Sequence, residues 1–493
     1  MGPAIVAMSA SKGIVGCGAY VPRLRLQRAS VIEATGWFNP GLRALGVGER
    51  AIAGWDEDAI TMAVEAARDC VGATGREGIS KLIVASTSLP FADRQNAVLI
   101  KEALNLRDDI ATLDVSGSQR AGTSALSVAL EGADRGGVLC VASERRPVRP
   151  GSEAELINGD AAAAFVVGTD NVIAEFVGSH STSVDFVDRF RVPGGASDYE
   201  WETRWIRDEG YRKLLPAAIA ATLRKLELDP KDVDHLIVPL PFAGSEVPIA
   251  RATGIAEAAL RDCLQAALGY AGCAHPLVLL ADLLNTAQPG AFIVMTSFGQ
   301  GCDVLVFRTT RLVTQRNGGL GVRGWLARRK AESNYVRHLS FAGMLELDGG
   351  MRAEVDLRVP FSLLYRERKA ILALVAGRCR VTGAVQYPKP AIAATEDART
   401  IDMQDDYPLA DRRARVVTFT SDWLGFSPEP PNSYGLVEFE GGGRMMVDFT
   451  DLDSESLDVG QWVRMMFRLK RQDSRGFRHY FWKATSDYRA PER

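Results

Sequence analysis

The chain has 493 residues, 46% of them apolar, which is room for roughly three domains of about 150 residues and rules out a disordered chain or a short peptide module. Lys and Arg number 58 against 61 Asp and Glu, so the net charge of −3 leaves no global basic field for nucleic acid or an anionic membrane. Histidine occurs five times, at 180, 235, 275, 338 and 479, too sparsely for histidine-rich metal catalysis. The seven cysteines (17, 70, 140, 263, 273, 302 and 379) are scattered without a C-x-x-C pair, which fits a reducing cytoplasm. No secretory signal is expected at the N-terminus, because Ile5 to Met8 lack a basic flank and a sustained apolar run. No segment approaches the roughly 18 apolar residues of a membrane span.

From Gly13 onward, short β-branched runs alternate with longer helical patterns, the signature of α/β layering. Ile14 to Tyr20 reads as a strand. Asp58 to Val71 reads as a helix with Asp56 or Asp58 as N-cap, and Lys81 to Ala85 as a buried strand. Asn96 to Leu104 is helical, Ala111 to Val115 a strand, Gly122 to Gly132 a small-residue helix, and Gly137 to Ala142 another buried strand. Asn158 to Gly168 closes this set as a turn and strand. A second set repeats the order: a strand from Val172, a helix over Tyr211 to Lys225, a strand over His235 to Pro239, helices over Arg261 to Tyr270 and Pro276 to Leu284, and a strand over Ala291 to Thr296. Phe298 to Arg308 closes it. The expected architecture is therefore α/β, with one half over 1–170 and a similar half over 171–310.

Beyond Thr310 the pattern turns Gly- and Arg-rich, and 311–359 reads as a linker or solvated basic arm. Five short strands then follow within about 75 residues, at Ala414 to Thr420, Tyr434 to Phe439, Arg444 to Phe449, Trp462 to Leu469 and Tyr480 to Ala484. PEPPNS and EGGGR mark turns between them, so 360–493 is expected to hold an all-β barrel of the OB type.

The segments GIVGCGAYVPRLRL, STSLPFADRQNA, DVSGSQRAGTSAL, NGDAAAAFVVG, GCAHPLVLLADLL and SFGQGCDVLVF, in this order, resemble the thiolase superfamily, closest to hydroxymethylglutaryl-CoA synthase and ketoacyl synthase III. The later segments PFSLLYRERKAIL, GRCRVTGAVQYP, PLADRRARVVTFT and FEGGGR resemble the acyl-CoA-associated OB-fold proteins that normally begin with a zinc ribbon. The resemblance implies a two-half αβαβα thiolase-like fold, a homodimer, and a CoA thioester entering a tunnel toward a cysteine nucleophile. That thiolate takes the acyl group while hydrogen-bond donors hold an enolate or tetrahedral oxyanion.

Matching SQRAGT to the family's A-C-x-A-G-T turn places Gln119 at the cysteine. The family's H-x-P histidine matches Pro239, its S-E-S glutamate matches Thr87, and the asparagine of its N-T-x-A-A-x segment matches Tyr270. Ordinary condensation is therefore not expected. In related decarboxylases an amide at this turn hydrogen-bonds the thioester oxygen, and in related aldolases tyrosines act as phenolic acids or bases. Gln119 and Tyr270 thus read either as catalytic groups or as fillers of a retired pocket.

His275, before an apolar helix, reads either as a neutral pocket group or as a structural histidine. Cys273 and Cys302 are either substitute nucleophiles or inert buried thiols. Gly299 and Gly301 are expected where the backbone approaches the acyl group, and Arg120, with less weight on Arg145, Arg146 and Arg149, at the CoA phosphates. Asp93, Arg94 and Asn96 read as subunit-interface residues. In the OB-like region Cys379 stands without cysteine partners, so no metal and no zinc are expected. Trp462, Phe467, Tyr480, Phe481 and Trp482 are expected to pack a core and not to stack on bases.

The expectation is a cytoplasmic enzyme of acyl-CoA carbon–carbon chemistry, an acyltransferase or lyase, performing non-covalent cleavage or decarboxylation, with catalytic Gln119, Tyr270, His275 and Thr87. The alternative is a non-catalytic acyl-CoA-binding scaffold for a partner enzyme. No cofactor beyond substrate CoA, no nucleic acid and no membrane are expected.

Overall fold

Buried β-branched runs set the frame. In the computed structural model, which describes residues 11–72, 75–133, 136–315, 319–355, 358–394, 398–452 and 457–488, the chain forms two units. The first comprises Met1–Ile52, Ala66–Ala97 and Asp108–Tyr335, and the second Ala53–Glu65, Val98–Arg107 and Val336–Arg493.

In the first unit the strands are β1 (Gly13–Tyr20), β2 (Leu24–Gln27), β3 (Glu49–Ile52), β4 (Ile79–Ala85), β5 (Ala111–Val115), β6 (Gly137–Glu144), β7 (Ala161–Gly168), β8 (Ala174–Ser183), β9 (Arg189–Phe190), β10 (Tyr199–Glu200), β11 (His235–Ile237), β12 (Phe292–Phe298), β13 (Gly301–Thr309) and β14 (Lys330–Glu332). Nine of them join in the order β11-β12-β13-β8-β1-β7-β6-β4-β5. The duplication is visible in that order. Outward from the central β1·β8 pair, β7, β6 and β4 on one side correspond to β13, β12 and β11 on the other. A parallel bridge from Leu236 to Leu260 stands where the second half would carry its counterpart of β5.

Two helices occupy equivalent places in the halves, Ala121–Glu131 and His275–Leu284. All ten residues of the second are buried, eight of them apolar and the others His275 and Asp282, as a helix between layers requires. They approach so closely that a Cβ on Gly122 would lie 2.1 Å from the Cys273 carbonyl oxygen, which explains the small residues of AGTSA.

Two expectations fail in instructive ways. Arg261 to Tyr270 is not a helix. Its carbonyls at Ala266 and Leu268 accept the Glu49 and Ala51 N–H groups of β3, and Leu264 takes a positive φ of 55°. The basic arm is also more structured than its charge suggested. Gly321–Ala327 is a helix whose Trp325 packs edge-on against Tyr20, β14 pairs in parallel with β2, Arg323 pairs with Asp282, and Arg329 with Glu49. Tertiary pairing has overridden local pattern in both places.

The second unit holds β15 (Val375–Cys379), β16 (Val385–Gln386) and β17 (Gln404–Pro408) in one small sheet. Its five-stranded sheet is made of β18 (Arg413–Asp422), β19 (Asn432–Phe439), β20 (Arg444–Asp448), β21 (Trp462–Gln472) and β22 (Arg478–Ser486), in the order β20-β19-β18-β21-β22. Phe467, Tyr480 and Trp482 are buried against one another in its core. The loop Trp55 to Asp58 lies against β21 and β22. Asp58 caps the helix Ala59–Val71 through the N–H groups of Ile60 and Thr61 and also receives Arg478 and the Tyr480 hydroxyl.

Candidate active site

The turn Ser116 to Arg120 carries the chain from β5 into the helix Ala121–Glu131 and sets Gln119 just ahead of the helix N-terminus. Gln119 is 8% exposed. Its Nε2 lies 3.4 Å from the Thr87 hydroxyl, and its Oε1 is buried with no hydrogen-bond partner among the described residues.

Thr87 is placed by register. β4 and β6 run parallel with Ala85 opposite Ala142, so Ser86, Thr87 and Ser88 leave one strand beside Ser143 and Glu144 at the end of the other. Glu144 is fully buried. It accepts the Thr87 hydroxyl at 3.0 Å, the Thr87 N–H at 3.2 Å, Ser88 Oγ at 2.5 Å and Ser86 Oγ at 3.4 Å. Thr87 thus has a carboxylate delivered beside it from the neighbouring strand. Sequence reasoning missed Glu144; its only trace was a charged residue directly following the apolar run GVLCVAS.

Across from Gln119 stands Gly272, with φ +49°. A Cβ there would come within 2.8 Å of Gln119 Oε1, 2.9 Å of Glu144 Cγ and 3.0 Å of Arg146 Cδ, so three polar side chains converge over this glycine. The Arg146 side chain is 1% exposed. It pairs with Asp198 through one terminal nitrogen, while Nε and Nη1 have no partner among the described residues. Asp198 also accepts Arg191 at 2.6 Å, and Arg191 in turn donates to the Thr87 carbonyl.

Tyr270 is buried, its backbone joined to Ile157 and Gly159. Its ring lies 5.9 Å from the Arg189 guanidinium and 5.2 Å from the His275 ring. Burial raises the phenol above its ordinary pKa, opposed by Arg189 and Arg146, so it is a neutral O–H at physiological pH. His275 opens its helix. Burial pushes it down to about 4, and Nδ1 accepts the Ala271 N–H at 3.2 Å, which makes it a neutral imidazole tied to the backbone.

Cys273 is fully buried. Burial first, and the adjacent Glu144 second, hold its thiol well above the usual range. Cys302 is raised to about 11 by burial, packs in the apolar cluster with Tyr211 and Leu215, and has its sulfur 3.6 Å from the Leu214 carbonyl.

Arg120 is committed within the protein. It pairs with buried Asp303 at 2.8 Å, and its Nε donates to the Gly299 carbonyl at 2.7 Å. Ser118 Oγ reaches the same carbonyl at 3.0 Å. These contacts press the Phe298–Gly301 loop onto the Gln119 turn, where a Cβ on Gly299 would lie 3.0 Å from the Gln119 nitrogen. Gly301, at φ +108°, has no room for a side chain, since a Cβ would be 1.9 Å from the Thr182 carbonyl oxygen. The structure therefore brings together Gln119, Thr87, Gly299 and Gly272 with Glu144 and Arg146, and sets Cys302 in a separate apolar cluster. Asn96 binds Asp114 at 3.0 Å beside β5.

No group of three or more His, Cys, Asp or Glu able to hold a metal occurs among the described residues. In β15 to β17 the one thiol is Cys379.

Comparison with known proteins shows 30% identity over 334 residues to a hydroxymethylglutaryl-CoA synthase of Thermococcus gammatolerans, covering 64% of this chain and 92% of that protein. The chain belongs to the hydroxymethylglutaryl-CoA synthase family. The synthase of Archaeoglobus fulgidus is 28% identical over 60% of this chain and 89% of its own length. Among solved structures, a synthase of this family complexed with CoA superposes with a TM-score of 0.61 at 18% identity, covering 71% of this chain and 95% of that one. The family model for the C-terminal OB-fold domain of ChsH2 matches residues 407–468. The fold is thus thiolase-like with a C-terminal OB-fold, joined in one member of the synthase family. No helix among the described residues is long and apolar enough to cross a membrane.

Proposed function

We propose that the chain acts on acyl-CoA thioesters by non-covalent carbon–carbon cleavage, of the retro-aldol or retro-Claisen type, or by decarboxylation. The observation that carries this is Gln119 at the head of the helix Ala121–Glu131, hydrogen-bonded to Thr87 with Glu144 behind it, where the sequence resemblance assigns the family's nucleophile. A carboxamide forms no acyl-enzyme, and the nearest thiol, Cys273, is held in its unreactive protonated form. What remains is a site that binds and polarises. Arg146, buried with two unpartnered nitrogens, supplies the positive charge that an enolate oxygen requires.

In retro-aldol cleavage the 3-hydroxyl gives up its proton, the Cα–Cβ electron pair moves onto the thioester oxygen, and Cα is then protonated. Tyr270, neutral at physiological pH, passes its phenolic proton to Cα as its oxygen takes the hydroxyl proton, so the phenol ends the cleavage as it began. The family's CoA-bound relative supports a CoA ester as ligand.

The test is incubation with 3-hydroxyacyl-, 3-oxoacyl- and malonyl-CoA esters followed by mass spectrometry of the products. Cleavage or loss of CO2 that falls at least about a hundredfold in both Gln119→Ala and Tyr270→Phe is the expected outcome. Turnover surviving both substitutions sinks the assignment, and CoA-ester binding without turnover favours a scaffold subunit.

A further inference from the structure

The carboxamide of Gln119 has one acceptor atom and one donor atom with two hydrogens, and its surroundings decide which end meets a ligand. Glu144 is ringed by donors: the hydroxyls of Ser86, Thr87 and Ser88 and the Thr87 N–H. The Thr87 hydroxyl therefore spends its single hydrogen on Glu144, 3.0 Å away. Only lone pairs remain on that oxygen, and Gln119 Nε2, 3.4 Å away, donates to them. The relay has one polarity. With its nitrogen turned to Thr87, Gln119 keeps Oε1 on the other side, beside Gly272 and Arg146, where it is buried and has no partner among the described residues. The Arg146 Nε and Nη1, donors without acceptors, belong to the same convergence.

We infer that the Glu144–Thr87–Gln119 relay makes the site selective for acyl thioesters that carry a 3-hydroxyl over those that carry a 3-oxo group. This rests on the acyl-CoA reading above and narrows it toward retro-aldol chemistry. A 3-hydroxyl donates to Gln119 Oε1, while the thioester oxygen accepts from Arg146. A 3-oxo group sets lone pairs against the lone pairs of Oε1 and leaves a buried acceptor unpaired, which is where sites built on hydrogen bonds discriminate most strongly. Glu144 and Thr87 act as positioning residues and Gln119 as the group in contact.

The experiment measures equilibrium binding of 3-hydroxybutyryl-CoA, 3-oxobutyryl-CoA and butyryl-CoA to the full chain by calorimetry. The hydroxy ester is expected to bind about tenfold or more tightly than the oxo ester. Thr87→Val, which removes the acceptor that fixes the carboxamide, is expected to reduce that ratio below about threefold. Thr87→Ser, which keeps the hydroxyl, is expected to preserve it. Equal binding of all three esters to the wild-type chain, or a ratio that survives Thr87→Val, overturns the selectivity and leaves the acyl-CoA reading standing. Failure of every ester to bind overturns both.

Discussion

Glu57 supplies a prediction whose sign and size both follow from the structure. In the second unit, Arg468 is fully buried and reaches Asp451 at 2.9 Å, Glu57 at 3.2 Å and Asp56 at 3.9 Å, while Lys483 pairs with Asp56 at 2.7 Å and lies over the Trp55 ring. Among the described residues three carboxylates and two cations meet in this buried site, so one carboxyl holds a proton more readily than it does in water. Burial raises Glu57 to about 7, against the pull of Arg468 and with the repulsion of Asp451 and Asp56. A carboxyl raised on folding stabilises the fold at low pH, and that contribution is lost as pH rises from the ordinary 4.5 to about 7. At about 1.4 kcal/mol per pH unit, the loss is roughly 3 kcal/mol. Hydrogen exchange of peptides from β21 and β22, corrected for intrinsic rates, should show protection falling from pH 5 to pH 8. Glu57→Gln should flatten the dependence and leave the variant the better protected at pH 8. Wild-type protection that is constant or rises over this range would refute the reasoning.

Gly272→Ala should destabilise the first unit by about 2 to 4 kcal/mol in urea, since the new Cβ meets three packed side chains at 2.8 to 3.0 Å and φ is +49°; a loss below about 1 kcal/mol would show that the convergence of Gln119, Glu144 and Arg146 yields easily. Asp303→Asn weakens the buried partner of Arg120, Thr123 and Ser124, and a loss of about 3 kcal/mol in the same assay, with reduced proteolytic resistance at Phe298–Gly301, is expected. Alkylation of the native chain at pH 7.5 should leave the thiols of the first unit unlabelled while it stays folded, because burial raises Cys17, Cys140 and Cys263 to about 12. Labelling of Cys273 ahead of global unfolding would contradict the account of the site.

Much of the frame was readable from local pattern. Runs such as KLIVA and GVLCVA read as buried strands, and the paired turn-and-strand closures NGDAAAAFVVG and FGQGCDVLVFR exposed the duplication that the sheet order displays. The turn that presents Gln119 was visible for the same reason, since SGSQRAGT is a short, self-contained unit. What escaped were features made by distant pairings. Arg261 to Tyr270 has helical composition, but β3, more than 200 residues earlier, takes its carbonyls. Glu144 acquires its role only through the β4–β6 register, which sets Thr87 against it across 57 residues of chain. The acids of Trp55 to Asp58 read as a helix cap, and one of them is, but their burial against Arg468, Arg478 and Lys483 depends on strands about 400 residues later.

The central claim is that Gln119 has replaced covalent chemistry with binding and polarisation. Intact-protein mass spectrometry during turnover tests it most directly. With acetyl-CoA, 3-oxobutyryl-CoA and 3-hydroxybutyryl-CoA as probes and acid quenching on the millisecond to second scale, the account predicts an unmodified chain at every time point, even while cleavage products accumulate. An acyl adduct that forms and decays with turnover, on Cys273, Cys302 or any other side chain, would contradict it.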